Sequence, residues 1–200
     1  MGETASRLPL LHFEQLSRDP KEPTMTLLDR AKVAAQLEGI AVLKTRRLVL
    51  RAPRFDDAKQ VAALANDRRI AENTARIPHP YGIDDAQQWI GAAISQSGVF
   101  VITIGGEVIG ACGLDGMELG YWIGVPFWGC GYATEAASGL IDHAFRDLGY
   151  KVLAASARVS NPASRRVLEK CGFEWTGVGL CRIRAISSSV PVDRFRLERP

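Results

Sequence analysis

One glycine turn, set between two opposite periodicities, constrains this chain most: Val125-Pro126-Phe127-Trp128-Gly129-Cys130-Gly131-Tyr132-Ala133-Thr134-Glu135-Ala136. Before it, residues 118–125 are apolar, aromatic and β-branched, the composition of a buried strand. After it, apolar residues fall at Ala133, Ala136, Ala137, Leu140, Ile141, Ala144, Phe145 and Leu148, and Gly149 can close the run. That spacing predicts a helix over 132–148. The backbone between strand and helix is Gly129-Cys130-Gly131-Tyr132. Free N–H groups at a helix start attract anions, and glycine lets a phosphate come close to the backbone. The local reading is a pyrophosphate cradle.

The rest of the chain narrows what such a cradle can serve. The fingerprint of a dinucleotide fold is not met. Gly129-x-Gly131-x-x-Thr134 lacks the third small residue, and no acidic residue ends the next apolar run, Lys151–Ala157. The Gly-Lys-Ser/Thr of a nucleotide P-loop is also missing. Four cysteines (Cys112, Cys130, Cys171, Cys181) show no C-x-x-C spacing, and the three histidines are scattered. No metal site or disulfide framework is expected. Unpaired thiols suit a reducing compartment, so the expected location is cytoplasmic. Cys130 reads as a small turn residue, since no histidine lies near it in sequence. No apolar run reaches the roughly 20 residues of a membrane span, and no signal-peptide pattern opens the chain. Residues 151–200 carry ten Lys/Arg against four Asp/Glu, a balance of +6. Without interleaved aromatics this suits a solvated face or an anionic cofactor better than nucleic acid. Neither a nucleic-acid nor a membrane partner is expected.

The order of elements gives the fold class. Residues 1–44 read as an N-terminal arm, irregular to residue 24, with a short helix from Thr26 through Leu37 ended by Gly39. A strand at Leu48–Arg51 follows, then a helix from Asp56 or Asp57 to Asn66, and a loop or broken helix over 68–82. Ile83–Gln96 is helical. Val99–Ile104 and Glu107–Leu114 form a hairpin on Gly105-Gly106. The strand at 118–125 and the helix at 132–148 come next, then a strand near 151–157 and a short helix over 162–171. Two strands, 173–184 and 191–198, are joined at Ser187-Ser188-Ser189. A meander combined with crossovers makes the class α+β, with a mixed, mostly antiparallel sheet of about seven strands flanked by helices.

A second dense segment is NPASRRVLEKCGF, Asn161 to Phe173. Asn161 suits an N-cap, Pro162 the first helical position and Gly172 the residue beyond the end. Asn161 and Ser164 are three residues apart and can share one face. Taken alone, they cap and fill a first turn.

Together, GYWI, FWGCGYATEA and NPASRRVLEKCGF resemble the GNAT superfamily of acetyl-CoA-dependent N-acetyltransferases, and within it the RimJ/RimL-like branch. The resemblance covers about residues 45–199, so 45–200 is the expected domain. It implies two central strands, 118–125 and 151–157, that splay apart. It implies acetyl-CoA as co-substrate, with pantetheine along Ile123, Gly124 and Val125. The pyrophosphate would lie on Gly129, Cys130, Gly131, Tyr132, Ala133 and Thr134. Asn161 and Ser164 would flank the thioester. Trp128 stands where that family carries Gln or Arg, and Cys130 where it often carries Lys or Arg. A cation beside the phosphates is thus expected to be missing, with more of the binding resting on backbone N–H groups.

The implied chemistry is direct attack of a neutral amine on the thioester in a ternary complex, onto a protein N-terminus or a small amine. Ser164 is the candidate donor to the departing sulfur. Leu168 replaces the tyrosine, and Ser156 the glutamate base, of the family's other arrangement. Glu118 is the candidate base. Losing a proton at pH 7 costs a lysine amine about 4.6 kcal/mol but an α-amine about 1–1.5 kcal/mol. A site without a dedicated strong base therefore fits an α-amine better. Acceptor-side candidates are Asn66, Asp67, Glu72, His79 and Tyr81. His79, between two prolines, also fits a plain loop residue, and Trp89 reads as core. Homodimers are common in the family, so a second copy is among the expected partners. The competing reading is a non-catalytic acyl-CoA-binding module, motivated by Trp128, Cys130 and the missing Glu/Tyr pair.

Overall fold

Seven strands of at least three residues and a short eighth build one mixed sheet in the computed structural model, which describes residues 42–94 and 96–199. The strands are β1 (Leu43–Lys44), β2 (Val49–Arg51), β3 (Val99–Ile104), β4 (Glu107–Asp115), β5 (Glu118–Ile123), β6 (Val152–Arg158), β7 (Glu174–Ile183) and β8 (Ser188–Glu198). Their order across the sheet is β1-β2-β3-β4-β5-β6-β8-β7. Every neighbouring pair is antiparallel except β5 and β6. Five helices flank it: α1 (Ala58–Ala65), α2 (Arg68–Ala71), α3 (Ile83–Ala93), α4 (Tyr132–Arg146) and α5 (Pro162–Lys170). The expected class stands, and the eighth strand is the two-residue β1, too short to carry a sequence signal. The helix expected from Thr26 lies outside the described residues.

The period-2 alternation of the strands sorts two cores. Phe100, Ile102, Leu119 and Ile123 meet Ala136, Leu140, Ala144 and Phe145 of α4 on one face. Val101 and Val108 meet Val61, Ala62 and Ile90 of α1 and α3 on the other. Each large side chain fully buried there contributes about 1.5–3 kcal/mol. The helical stripe read from the sequence is the face α4 buries. Trp89 packs against the second core, as its reading required.

Several boundaries differ from expectation by a few residues, and three have a local cause. The strand at 118–125 stops at Ile123, because Val125–Phe127 turn into a 3₁₀ segment around Pro126. Phe127 N–H closes on the Gly124 carbonyl at 2.9 Å. Helix α4 ends at Arg146, where the Asp147 and Leu148 N–H groups both return to the His143 carbonyl. The last turn is made by Arg184–Ile186 with Ser187 at φ 50°, so Ser188 and Ser189 enter β8 instead of linking strands.

A buried ion pair anchors α1 to β2. Asp57 receives both Nη atoms of Arg51, at 2.7 and 2.8 Å, and the Arg54 N–H at 2.8 Å. Burial alone would raise this carboxyl, but the Arg51 fork and the Arg54 N–H outweigh it and hold it below the usual carboxylate range. The unfolded chain then binds that proton more readily than the folded one. The stabilisation is complete above about pH 4 and is lost as pH falls through the folded-state value. Asp57→Asn should cost about 3 kcal/mol at neutral pH by leaving Arg51 unpaired. Thermal melts from pH 7 to pH 3 should show the wild-type advantage shrinking with acidification. A gap independent of pH would contradict the assignment.

No helix among the described residues is long and apolar enough to cross a membrane. All four cysteines are free.

Candidate active site

β5 and β6 hold together only at Glu118↔Ala154 and Leu119↔Ala155. Beyond that point β5 pairs only with β4, through Ile123, and β6 only with β8, through Arg158. The two central strands part, as the resemblance implies. Gly124 N–H donates to Ile109 in β4, and the Met117 carbonyl accepts from Ala154 in β6. Backbone direction alternates along a strand. The N–H and C=O groups of Tyr121 and Ile123 therefore face the gap.

The gap opens into a cleft of about 660 Å³ running from β5 along the starts of α4 and α5. That size suits a cofactor-like ligand. Ile123, Gly129, Gly131, Tyr132, Ala133, Thr134, Asn161 and Ser164 all line it, eight of the eleven positions expected to contact coenzyme. Gly124, Val125 and Cys130 do not. Gly124 is buried, its N–H is committed to β4, and a Cβ there would lie 2.8 Å from Leu64. Val125 begins the 3₁₀ turn. Cys130 is exposed, with its thiol 3.6 Å from the Trp128 carbonyl.

The glycine turn takes its shape from two left-handed residues, Gly129 at φ 77° and Gly131 at φ 79°. Gly131 is the N-cap of α4, so the first N–H groups of a fifteen-residue helix open toward the cleft. A residue 84 positions earlier completes the turn. Arg47 stacks on the Tyr132 ring at 4.6 Å, and one of its Nη atoms would lie 3.6 Å from a Cβ on Gly131. Glu135 holds it, accepting from Arg47 Nε and from the Arg47 N–H, both at 2.7 Å. Partial burial raises the Glu135 carboxyl, but hydrogen bonds from Thr45 and Arg47 outweigh it and lower it overall. A cation does stand at the cradle. The positive charge absent at Cys130 comes instead from Arg47, far upstream in sequence.

Trp128 is bonded inward: its indole N–H donates to the Ile123 carbonyl at 2.6 Å, with Arg69 5.8 Å over the ring. This occupies one of the groups facing the gap and leaves Tyr121 N–H, Tyr121 C=O and Ile123 N–H. On the other wall, Asn161 caps α5 by accepting from the Ser164 N–H at 3.1 Å. The Tyr121 hydroxyl oxygen lies 3.0 Å from Ser164 Oγ and 3.1 Å from the Ser164 carbonyl, either of which can accept its one proton. Tyr121 is half-buried, and burial pushes its phenol up to about 12. The sequence showed it only as one aromatic of a strand. Arg166 and Lys170, four residues apart on α5, line the same cleft.

The acceptor-side candidates divide. Glu72 lines the cleft, and Arg158 donates to its carbonyl at 3.0 Å. Tyr81 is buried in the α1–α3 core, and burial raises its phenol to about 12. Asn66 is occupied in receiving the Tyr81 N–H at 2.8 Å. Asp67 caps α2 through the Arg69 N–H. His79 is exposed in its loop and is not part of the cleft lining. Tyr81 and Asn66 thus fasten the loop instead of facing a substrate. Glu118, at the closed end of the splay, accepts a 2.7 Å hydrogen bond from Ser156. It projects to the face opposite Tyr121 and Ser164, because the two positions differ by an odd number. Among the described residues, no group of three or more His, Cys, Asp or Glu could hold a metal ion.

Known proteins resemble the chain in sequence and in shape. A profile of the acetyltransferase (GNAT) domain matches residues 47–174. The uncharacterized N-acetyltransferase p20 of Bacillus licheniformis is 29% identical over 149 residues, 68% of this chain and 84% of that protein. The uncharacterized protein YkkB of Bacillus subtilis is 37% identical over 79 residues, 36% of this chain and 46% of that protein. The match thus spans less than half the length of that relative. Among solved structures, Mycobacterium smegmatis RimJ in complex with CoA-disulfide superposes with a TM-score of 0.66 at 20% identity. That superposition covers 80% of this chain and 86% of RimJ.

Proposed function

We propose, from the premise that this chain belongs to the GNAT acetyltransferase family, that its cleft binds acetyl-CoA and passes the acetyl group directly to a primary amine. As a member, the chain is an acetyl-CoA-dependent N-acetyltransferase. The observation that carries the finer reading is the one-sided strand β5. Its Tyr121 N–H and C=O and its Ile123 N–H are left free beside the glycine turn at the start of α4.

Each part of the cleft then has a task. The free N–H and C=O groups of β5 can pair with the amides of pantetheine, as a neighbouring strand would. The Gly129–Thr134 turn offers N–H groups at the positive end of α4, and Arg47 adds a guanidinium beside them. Arg166 and Lys170 provide further positive charge for coenzyme phosphate. A strand N–H from Tyr121 or Ile123 can polarise the thioester carbonyl, and Ser164 can donate to the sulfur as it departs. The amine nitrogen bonds to the acetyl carbon, the carbon–sulfur bond breaks, and the proton shed by the amine balances the thiolate.

The acceptor would approach from the opposite face, which carries Glu118, Trp122 and Ser156. Glu118 is the candidate to take the amine proton, directly or through water. Its one side-chain hydrogen bond is from the neutral Ser156 hydroxyl, and a site without a dedicated strong base favours an α-amine over a lysine side chain. The substrate class proposed is therefore a protein N-terminus or a weakly basic small amine.

Initial velocities with acetyl-CoA and an accepted amine varied together should give intersecting lines, with no acetylated enzyme in intact-mass spectra. Parallel lines with a stable acetyl-enzyme would overturn direct attack. Tight coenzyme binding with no turnover across α-amine peptides and small amines would instead support a binding module.

A further inference from the structure

We infer that Tyr121 is a positioning residue for acyl transfer: its hydroxyl fixes Ser164 so that the serine proton is free for the departing sulfur. The inference rests on the donor role proposed for Ser164. Three contacts converge on that serine. Its N–H is held by Asn161 Oδ1 at 3.1 Å, and its carbonyl and Oγ lie 3.1 and 3.0 Å from the Tyr121 oxygen. Tyr121 comes from the stretch of β5 that no longer pairs with β6, and both residues line the cleft.

Proton counting decides what the contact can do. The phenol has one proton and two acceptors on Ser164, and the serine hydroxyl has one proton of its own. If the phenol donates to the carbonyl, the serine proton points at the phenol oxygen and nothing is left for the sulfur. If the phenol donates to Oγ, the serine proton is released toward the cleft. It is also a stronger donor, because hydrogen bonds in a chain polarise one another. Charge growing on the sulfur favours the second arrangement.

Tyr121 does not itself give up its proton. Burial holds its phenol near 12, whereas a thiol titrates near 8.5. Moving the tyrosine proton onto the thiolate would be unfavourable by a factor of more than about 1,000. The proton that ends on the coenzyme thiol is the one the amine loses, and tyrosine and serine finish as they began. One turn further along α5, where the family's other arrangement carries a tyrosine hydroxyl, this chain has Leu168. The structure brings one from the strand.

The test is a double-mutant cycle on the full chain: Tyr121→Phe, Ser164→Ala and both together, with kcat, KM for acetyl-CoA and coenzyme Kd measured for each. Phenylalanine keeps the ring, and thermal melts verify folding. Tyr121→Phe should lower kcat about 5- to 20-fold with KM and Kd within about twofold, a typical range for losing one polarising hydrogen bond. In the Ser164→Ala background it should cost nothing more. Wild-type kcat in Tyr121→Phe beside a slowed Ser164→Ala overturns this inference alone. Equal losses in both backgrounds also overturn it, since Tyr121 would then act by packing. Full turnover in Ser164→Ala removes the serine's role, and this inference with it.

Discussion

Gly131→Glu should abolish measurable coenzyme binding, with at least a 100-fold rise in Kd, while the protein stays folded. One effect strains the turn, and two others weaken binding. Gly131 sits at φ 79°, where a β-carbon costs about 1–2 kcal/mol. The new carboxylate would lie where phosphate approaches the start of α4. Two unit charges at about 4 Å in a partly screened site repel by about 4 kcal/mol. The carboxylate would also reach Arg47, whose Nη lies 3.6 Å from the Cβ position, and draw off the one cation stacked on Tyr132. The repulsion alone exceeds the roughly 2.7 kcal/mol equal to a 100-fold change. The fold should survive, because a carboxylate at a helix N-terminus returns part of the strain. Calorimetric titration of coenzyme A, with a thermal melt as control, reads both quantities. Arg47→Gln should give a smaller loss, about 5- to 10-fold, since Glu135 already shares that charge. Intact affinity in Gly131→Glu would place the phosphates elsewhere.

Ser164→Ala should lower kcat about 10- to 100-fold and leave coenzyme affinity within about twofold, the pattern of a contact made mainly in the transition state. The side chain is small and half-buried at the first turn of α5, and its N–H, not its hydroxyl, receives the Asn161 cap. Alanine therefore keeps the cap and the helix while removing the donor. Asn161→Ala should behave differently, because it frees the α5 start and moves the serine itself. Single-turnover rates with saturating acetyl-CoA would separate the chemical step from product release.

Local signals reached far into this fold. Positive-φ glycines at 105, 106, 129, 131, 149 and 172 stand where turns and helix ends were read. Asn161, Pro162 and Gly172 bound α5 as their chemistry demanded. Such features depend on residues within a few positions of one another. The misses depend on distance in sequence. Arg47 reaches the cradle from 84 residues upstream of Gly131, and nothing in its own neighbourhood marks it. Tyr121 looked like one more strand aromatic until α5 set Ser164 against it. Tyr81 sits in a proline-broken loop and reads as an acceptor-side residue, yet the α1–α3 core takes its ring. The backbone groups left free by β4 and β6 centre on Tyr121 and not on the expected Ile123–Val125, because Gly124 N–H is committed to β4 and the 3₁₀ turn around Pro126 follows. Alternation along the strand decides that shift, and it is visible only once one hydrogen bond is known.

The most direct measurement is a crystal structure with acetyl-CoA bound. The pyrophosphate should lie on the Gly129–Thr134 turn beside Arg47, with pantetheine along Tyr121 and Ile123. The thioester sulfur should be within hydrogen-bonding reach of Ser164 Oγ. A coenzyme whose sulfur lies outside the gap between β5 and β6, or whose phosphates avoid the α4 N-terminus, would contradict the proposed site.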